Sequence, residues 1–149
     1  MPQTTILGID PGKATGWAQI HVNEDHTVEL GLFGVTRDMT LVEIVKRIEE
    51  ADVIVYEGYW IRPDKAKSGA FNWQSVPAEK TIGALLTHCK LLGKTRIEKQ
   101  QPVQRVPGYG FSGQKYVAGA KGKHWQDALA HAMYYAVAKL QALPVKPKH

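Results

Sequence analysis

The stretch from Thr5 to Ala18 (Thr-Ile-Leu-Gly-Ile-Asp-Pro-Gly-Lys-Ala-Thr-Gly-Trp-Ala) constrains the fold more than any other part of the chain. An apolar run, Ile6 to Ile9, ends in the carboxylate of Asp10. Pro11-Gly12 then supplies a turn, and a second run leads on through Ile20. This pattern predicts a hairpin whose first strand is buried. A carboxylate at the last position of a buried strand is costly unless a metal or a basic partner neutralises it. Asp10 is therefore the first candidate for chemistry, although an Asp before Pro-Gly also serves as a plain turn former.

Val28 to Val35 reads as a third strand, so residues 5–35 form an antiparallel meander, with His21 and His26 expected in its polar, solvent-facing loop. Leu41, Ile44, Val45 and Ile48 recur at helical spacing, which predicts a short amphipathic helix over Thr40 to Glu50, capped by Asp38 or Thr40. Asp52 to Glu57 is a second buried strand that ends in a carboxylate. Gly58 to Gln74 is irregular and mixes Tyr59, Trp60, Phe71 and Trp73 with Arg62, Lys65 and Lys67. Such a mixture suits stacking on bases, or a loop folded over the core. Pro77 to Leu92 reads as a helix with Gly93 just past its end. Thr95 to Val103 reads as a fifth strand, Gln104 to Lys123 as a glycine-rich mobile loop, and Trp125 to Leu140 as a helix. The order β-β-β-α-β-α-β-α implies an α/β mixed sheet with helices on its faces. We expect one domain over residues 1–143 and a basic tail over 144–149.

Charge is more informative in its placement than in its sum. The chain carries net +5, yet Lys90 to Lys123 holds eight Lys or Arg against the single acid Glu98. A local basic window in an otherwise balanced chain suits a phosphate backbone, or a solvated surface with no ligand. One cysteine, Cys89, rules out an internal disulfide and a thiolate zinc cluster, and its apolar helical setting favours a buried structural thiol. No apolar run approaches the about 20 residues a membrane span needs, and no signal peptide is expected. A cytoplasmic or nucleoid-associated location follows as the expectation.

Three carboxylates stand where folding alone would not place them: Asp10, Glu57 and Asp127. His124 precedes Asp127 by three residues and shares its helical face, with His131 one turn beyond. Asp127 could simply decorate the first turn of its helix, and His131 is expected to be packed or exposed rather than a ligand. Converging carboxylates are what hard divalent cations require. Two such ions about 4 Å apart activate a water and stabilise the leaving oxygen of a phosphodiester. A neutral imidazole at His124 could ligate a metal or accept a proton from that water.

These residues carry a resemblance. Ile6-Leu7-Gly8-Ile9-Asp10-Pro11-Gly12, followed by Thr15-Gly16, resembles the opening motif of the RuvC family of Holliday junction resolvases. Val53-Ile54-Val55-Tyr56-Glu57 resembles that family's second acidic strand, and His124-Trp125-Gln126-Asp127-Ala128-Leu129-Ala130 its C-terminal helix motif. The resemblance spans nearly the whole chain in order, and its compactness is similar to a phage-type member in a phage-infected or bacterial cell. It implies an RNase H-like five-stranded fold, a homodimer, Mg²⁺ or Mn²⁺ with two ions per site, and paired nicks in a four-way DNA junction by a crossover junction endodeoxyribonuclease. It assigns Asp10, Glu57 and Asp127 as metal ligands, with His124 as fourth ligand or proton acceptor. Arg105, Lys115, Lys121 and Lys123 are the expected phosphate contacts, and Lys13, Arg62, Lys65 and Lys67 are also expected to bind nucleic acid. The segment between Lys13 and Gly16 is one residue short of the family pattern, and Gly58-Tyr59-Trp60 replaces its usual run. Tyr59 or Trp60 is the candidate wedge for the junction centre.

Two other readings keep part of this pattern. An RNase H-like or YqgF-like nuclease would share the ligands and act on RNA or an RNA–DNA hybrid. Asp-x-Gly-x-x-Thr-Gly is also similar to the phosphate loop of actin-like ATPases, which need two such domains to close over a nucleotide. The helix Pro77 to Leu92, with Gly83 and Ala84 beside its apolar stripe, is a candidate dimer surface.

Overall fold

The computed structural model describes residues 3–58, 76–114 and 124–145. Five strands form one sheet: β1 (Thr4–Asp10), β2 (Thr15–Val22), β3 (Val28–Thr36), β4 (Val53–Glu57) and β5 (Ile97–Gln100), in the order β3-β2-β1-β4-β5. The first three are antiparallel, while β4 and β5 run parallel to β1. β1 and β4 are continuous aliphatic runs because both sides of the sheet are covered there. Their parallel pairing sets Ile9 beside Tyr56, so Asp10 and Glu57 leave the sheet at the same edge.

Among the described residues, four helices flank the sheet: α1 (Val45–Glu50), α2 (Val76–Leu91), α3 (Arg105–Phe111) and α4 (His124–Leu140). On one face, Leu41, Ile44, Ile48, Leu85 and Cys89 pack on Leu7, Ile9 and Ile54. On the other, α4 lays Ala128, Leu129, Ala132, Met133 and Ala136 on Ile6, Ala18, Ile20 and Val55. Here the backbones come unusually close. A Cβ at Gly8 would overlap the Ala128 carbonyl, and one at Gly16 would overlap the backbone of His124. Gly8 and Gly16 are thus what lets α4 lie directly over β1 and β2. Phe33 stacks on Trp125 at 4.3 Å between ring centroids and fixes the start of α4 over β3.

Several expectations are corrected. The Thr40–Glu50 helix is a 3₁₀ turn, Val42–Ile44, followed by α1. His21 belongs to β2 rather than to a loop, is half-buried, and pairs through Nδ1 with Thr5 Oγ1 at 3.0 Å. The fifth strand is only Ile97–Gln100, because Pro102 begins a 3₁₀ turn. The expected loop from Gln104 contains α3, despite Pro107, Gly108 and Gly110. Pro107 falls in the first helical turn, where a missing N–H costs nothing, and Gly108 admits the backbone of Ala130 against the helix. Cys89 is fully buried and its thiol is pushed up to about 11 by burial, as a structural cysteine should be. Tyr59, Trp60, Arg62, Lys65, Lys67, Lys115, Lys121 and Lys123 lie outside the described residues, as do residues 146–149 of the tail.

Candidate active site

The edge where β1 and β4 end opens into a cavity of about 480 Å³ lined by Asp10, Lys13, Arg37, Glu57, Arg105, His124 and Asp127, with the Pro11–Ala14 turn closing one side. The turn is built from its own sequence. The Gly12 N–H donates to Thr15 Oγ1 at 3.2 Å, and Thr81 of α2 donates to the Gly12 carbonyl at 3.1 Å. This ties the chain after Asp10 to both β2 and the opposite helix layer, so the carboxylate stands on a fixed backbone.

The four residues expected to carry the chemistry meet here. Asp10 and Glu57 are within side-chain hydrogen-bonding reach of each other. His124 Nδ1 is 3.7 Å from Asp10 Oδ2. Asp127 approaches from the first turn of α4, and one guanidinium spans the interval to Glu57: Arg105 Nε lies 3.2 Å from Glu57 Oε1 and its Nη1 3.2 Å from Asp127 Oδ2. Residues separated by up to 117 positions in sequence are thus gathered around a single guanidinium and imidazole. Tyr109, one turn after Arg105 on α3, donates its hydroxyl to Asp127 Oδ1.

The electrostatics follow from burial. Asp10 is pushed up to about 7, chiefly because burial disfavours its charge; the Glu57 and Asp127 carboxylates add to this, and the His124 hydrogen bond works against it. Burial acts on Glu57 as well. There the His131 hydrogen bond and the Arg105 charge outweigh it and hold the carboxyl below its ordinary range. The hydrogen bond to Asp10 raises His124 above the usual imidazole value. Burial and the bond to Asp127 raise the Tyr109 hydroxyl.

This donor set fits a hard divalent cation in kind. Three carboxylates and an imidazole line one cavity, and oxygen donors with an imidazole are the groups that such an ion takes. As the side chains lie, no three His, Cys, Asp or Glu among the described residues stand close enough round one point to hold an ion. Arg105 bridges Glu57 and Asp127 instead. The guanidinium of Arg105, a residue expected to contact phosphate, is paired with these two acids in the structure.

Lys13, expected to bind nucleic acid, lines the cavity. Two residues of the site, Arg37 and Tyr109, were missed by sequence reasoning. Arg37 follows β3 directly, and the β2–β3 register sets Thr36 beside Thr15, so the hairpin pattern alone could have placed it at the same edge as Asp10. Tyr109 had no signal, being hidden in a glycine-rich run. His131, expected to be packed or exposed, is buried against Glu57.

No family model matches the chain, and no curated protein matches it in sequence. Its fold is similar to that of solved structures along nearly its whole length. RuvC of T. thermophilus in complex with Holliday junction substrate superposes with a TM-score of 0.64 at 18% identity, covering 95% of this chain and all of that one. The yeast mitochondrial Holliday junction resolvase gives 0.62 at 14% identity, covering 94% and 80%. Fowlpox virus resolvase, solved with substrate Holliday junction DNA, gives 0.50 at 11% identity, covering 93% and 97%. The chain therefore has the RNase H-like α/β fold of these proteins.

Proposed function

We propose that this chain is a metal-dependent endonuclease that nicks four-way DNA junctions. The observation that carries this reading is the convergence of Asp10, Glu57 and Asp127, from three separate elements, in one cavity rimmed by Lys13, Arg37 and Arg105. Support comes from the whole-length likeness to three structures whose names describe junction resolvases.

Asp10, Glu57 and Asp127 would hold Mg²⁺ or Mn²⁺, with His124 as a further ligand. A divalent ion supplies water activation and charge neutralisation at the leaving oxygen. The remaining work belongs to the chain's own groups. His124, facing Asp10 at the cavity mouth, accepts the proton of the attacking water when it does not ligate. Arg105 pairs with two acids, and its partly exposed side chain can turn from them to a phosphate oxygen. Lys13 and Arg37, which line the same cavity, hold the strand by its phosphates. Tyr109 keeps Asp127 oriented. A four-way junction presents two equivalent strands, so paired nicks call for a homodimer. Helix α2 exposes Leu86 and Leu91, and among the described residues nothing crowds Gly83, which suits it to that interface. Residues 1–143 would form the nuclease domain, acting in the cytoplasm or at the nucleoid. Among the described residues, no helix is long and apolar enough to cross a membrane.

The test is cleavage of labelled four-way junction, linear duplex and RNA–DNA hybrid with Mg²⁺ or EDTA, beside Asp10→Asn. Symmetric junction nicks are expected, lost in EDTA and reduced about 10³-fold or more by the substitution. Preferential cleavage of the hybrid would transfer the site to RNA processing, and cleavage that survives EDTA would remove the metal reading.

A further inference from the structure

Behind the cavity, Glu57 is held by residues that the reaction proposed above does not use. His131 lies one turn beyond Asp127 on α4 and is completely buried. Its Nε2 stands 3.0 Å from Glu57 Oε1, and its Nδ1 stands 2.7 Å from the side-chain oxygen of Gln100. Gln100 ends β5 and is the direct neighbour of Glu57 in the parallel register. It too is buried, and among the described residues its amide nitrogen has no hydrogen-bond partner.

Three buried polar side chains in a row are a costly way to fill space. An apolar trio of similar volume would leave no orphaned amide nitrogen and would be at least as stable. What the polar trio supplies is direction. Glu57 Oε1 meets His131 from behind and Arg105 from the cavity side, so the carboxylate is fixed from two elements. Fixing one oxygen and its plane fixes where the other oxygen stands. Gln100 in turn orients the imidazole. A neutral ring that donates Nε2–H to Glu57 leaves Nδ1 bare, and the Gln100 amide can turn its NH₂ to that nitrogen, so Gln100 holds the tautomer that Glu57 needs.

We propose that His131 and Gln100 are a positioning pair that sets the orientation of Glu57, and through it the affinity of the carboxylate cluster for a divalent cation. This rests on the reading of the cavity given above. Support of this kind behind a ligating group is commonly worth about 10–100-fold in metal affinity or activity.

The experiment measures Mn²⁺ binding by calorimetry, junction nicking, junction binding in EDTA, and Tm for the full chain and for His131→Leu, His131→Gln and Gln100→Leu. His131→Leu should weaken Mn²⁺ binding and lower kcat by about 10–100-fold, with junction affinity in EDTA unchanged. His131→Gln returns a donor to Glu57 and should recover most of both losses. Gln100→Leu leaves the Glu57 contact in place and should fall between them; it decides the matter if His131→Leu does not fold. Folded His131→Leu or Gln100→Leu protein with wild-type Mn²⁺ affinity and kcat would overturn the proposal. So would a His131→Gln variant no better than His131→Leu, which reduces the role to packing. If the wild-type chain binds no Mn²⁺ at all, the reading of the cavity falls and takes this with it. If it binds Mn²⁺ and the variants match it, only the positioning pair is lost.

Discussion

The two faces of the sheet are packed by different means. Toward α1 and α2, large aliphatic side chains fill the space: Leu7, Ile9, Leu41, Ile48 and Leu85. Toward α4, backbone meets backbone, through Gly8 and Gly16 under the helix and Gly108 of α3 against Ala130. The first face mainly stabilises the molecule, and it reaches the cavity through the bond from Thr81 to the Gly12 carbonyl. The second carries His124, Asp127 and His131, and through α3 also Arg105 and Tyr109. Chemistry is built where side chains have been removed, because direct backbone contact leaves α4 one place to lie.

The sharpest way to break this comparison is to disturb each face by one residue. Gly8→Ala forces α4 away from β1 and should cost about 3 kcal/mol of stability. Leu85→Ala opens a cavity on the other face and should cost a similar amount, about 2–4 kcal/mol. Assayed well below their melting points, the two should part company. Gly8→Ala should lose about 10²-fold in nicking rate, since displacements near 1 Å cost that much, whereas Leu85→Ala should keep near wild-type rates. Equal losses would mean that the two faces position the site alike.

A second test contrasts two neighbouring acids. Asp10 has a folded pKa of about 7, above its unfolded value, so the folded chain binds the extra proton and Asp10's contribution to stability declines as pH rises from about 4 to 7. In EDTA, Asp10→Asn should therefore raise Tm at pH 8, by about 3–5 °C, and change it little at pH 4. Glu57 is depressed, so its contribution is present above the ordinary carboxylate range and is lost as pH falls through its lower folded value. Glu57→Gln should lower Tm at pH 8 and less so in acid. Thermal scans across pH would show whether the cavity side and the His131 side of the site differ in sign as these shifts require. The smallest expected effect is at Tyr109. Tyr109→Phe removes one hydrogen bond to Asp127 and should cost about 1 kcal/mol, with nicking reduced only a few-fold.

Reading the residues alone recovered the elements whose pattern is local. β1 and β4 announce themselves as aliphatic runs ending in Asp10 and Glu57, and α4 as a small-residue stripe behind His124 and Asp127. α3 could not be read this way. Pro107, Gly108 and Gly110 are loop residues by propensity, and the helix exists because Gly108 accepts the backbone of Ala130. His131 was equally hidden, since its partners Glu57 and Gln100 lie 74 and 31 residues away.

By itself, then, the sequence determined the strand and helix order, the acids at the strand ends and the imidazole on their helical face, because burial and periodicity are properties of neighbouring residues. Tertiary structure alone decided that Arg105 bridges Glu57 and Asp127, that Arg37 joins the rim, and that Gln100 and His131 stand behind Glu57. Those pairings depend on how closely two backbones can approach, and only the folded chain sets that distance.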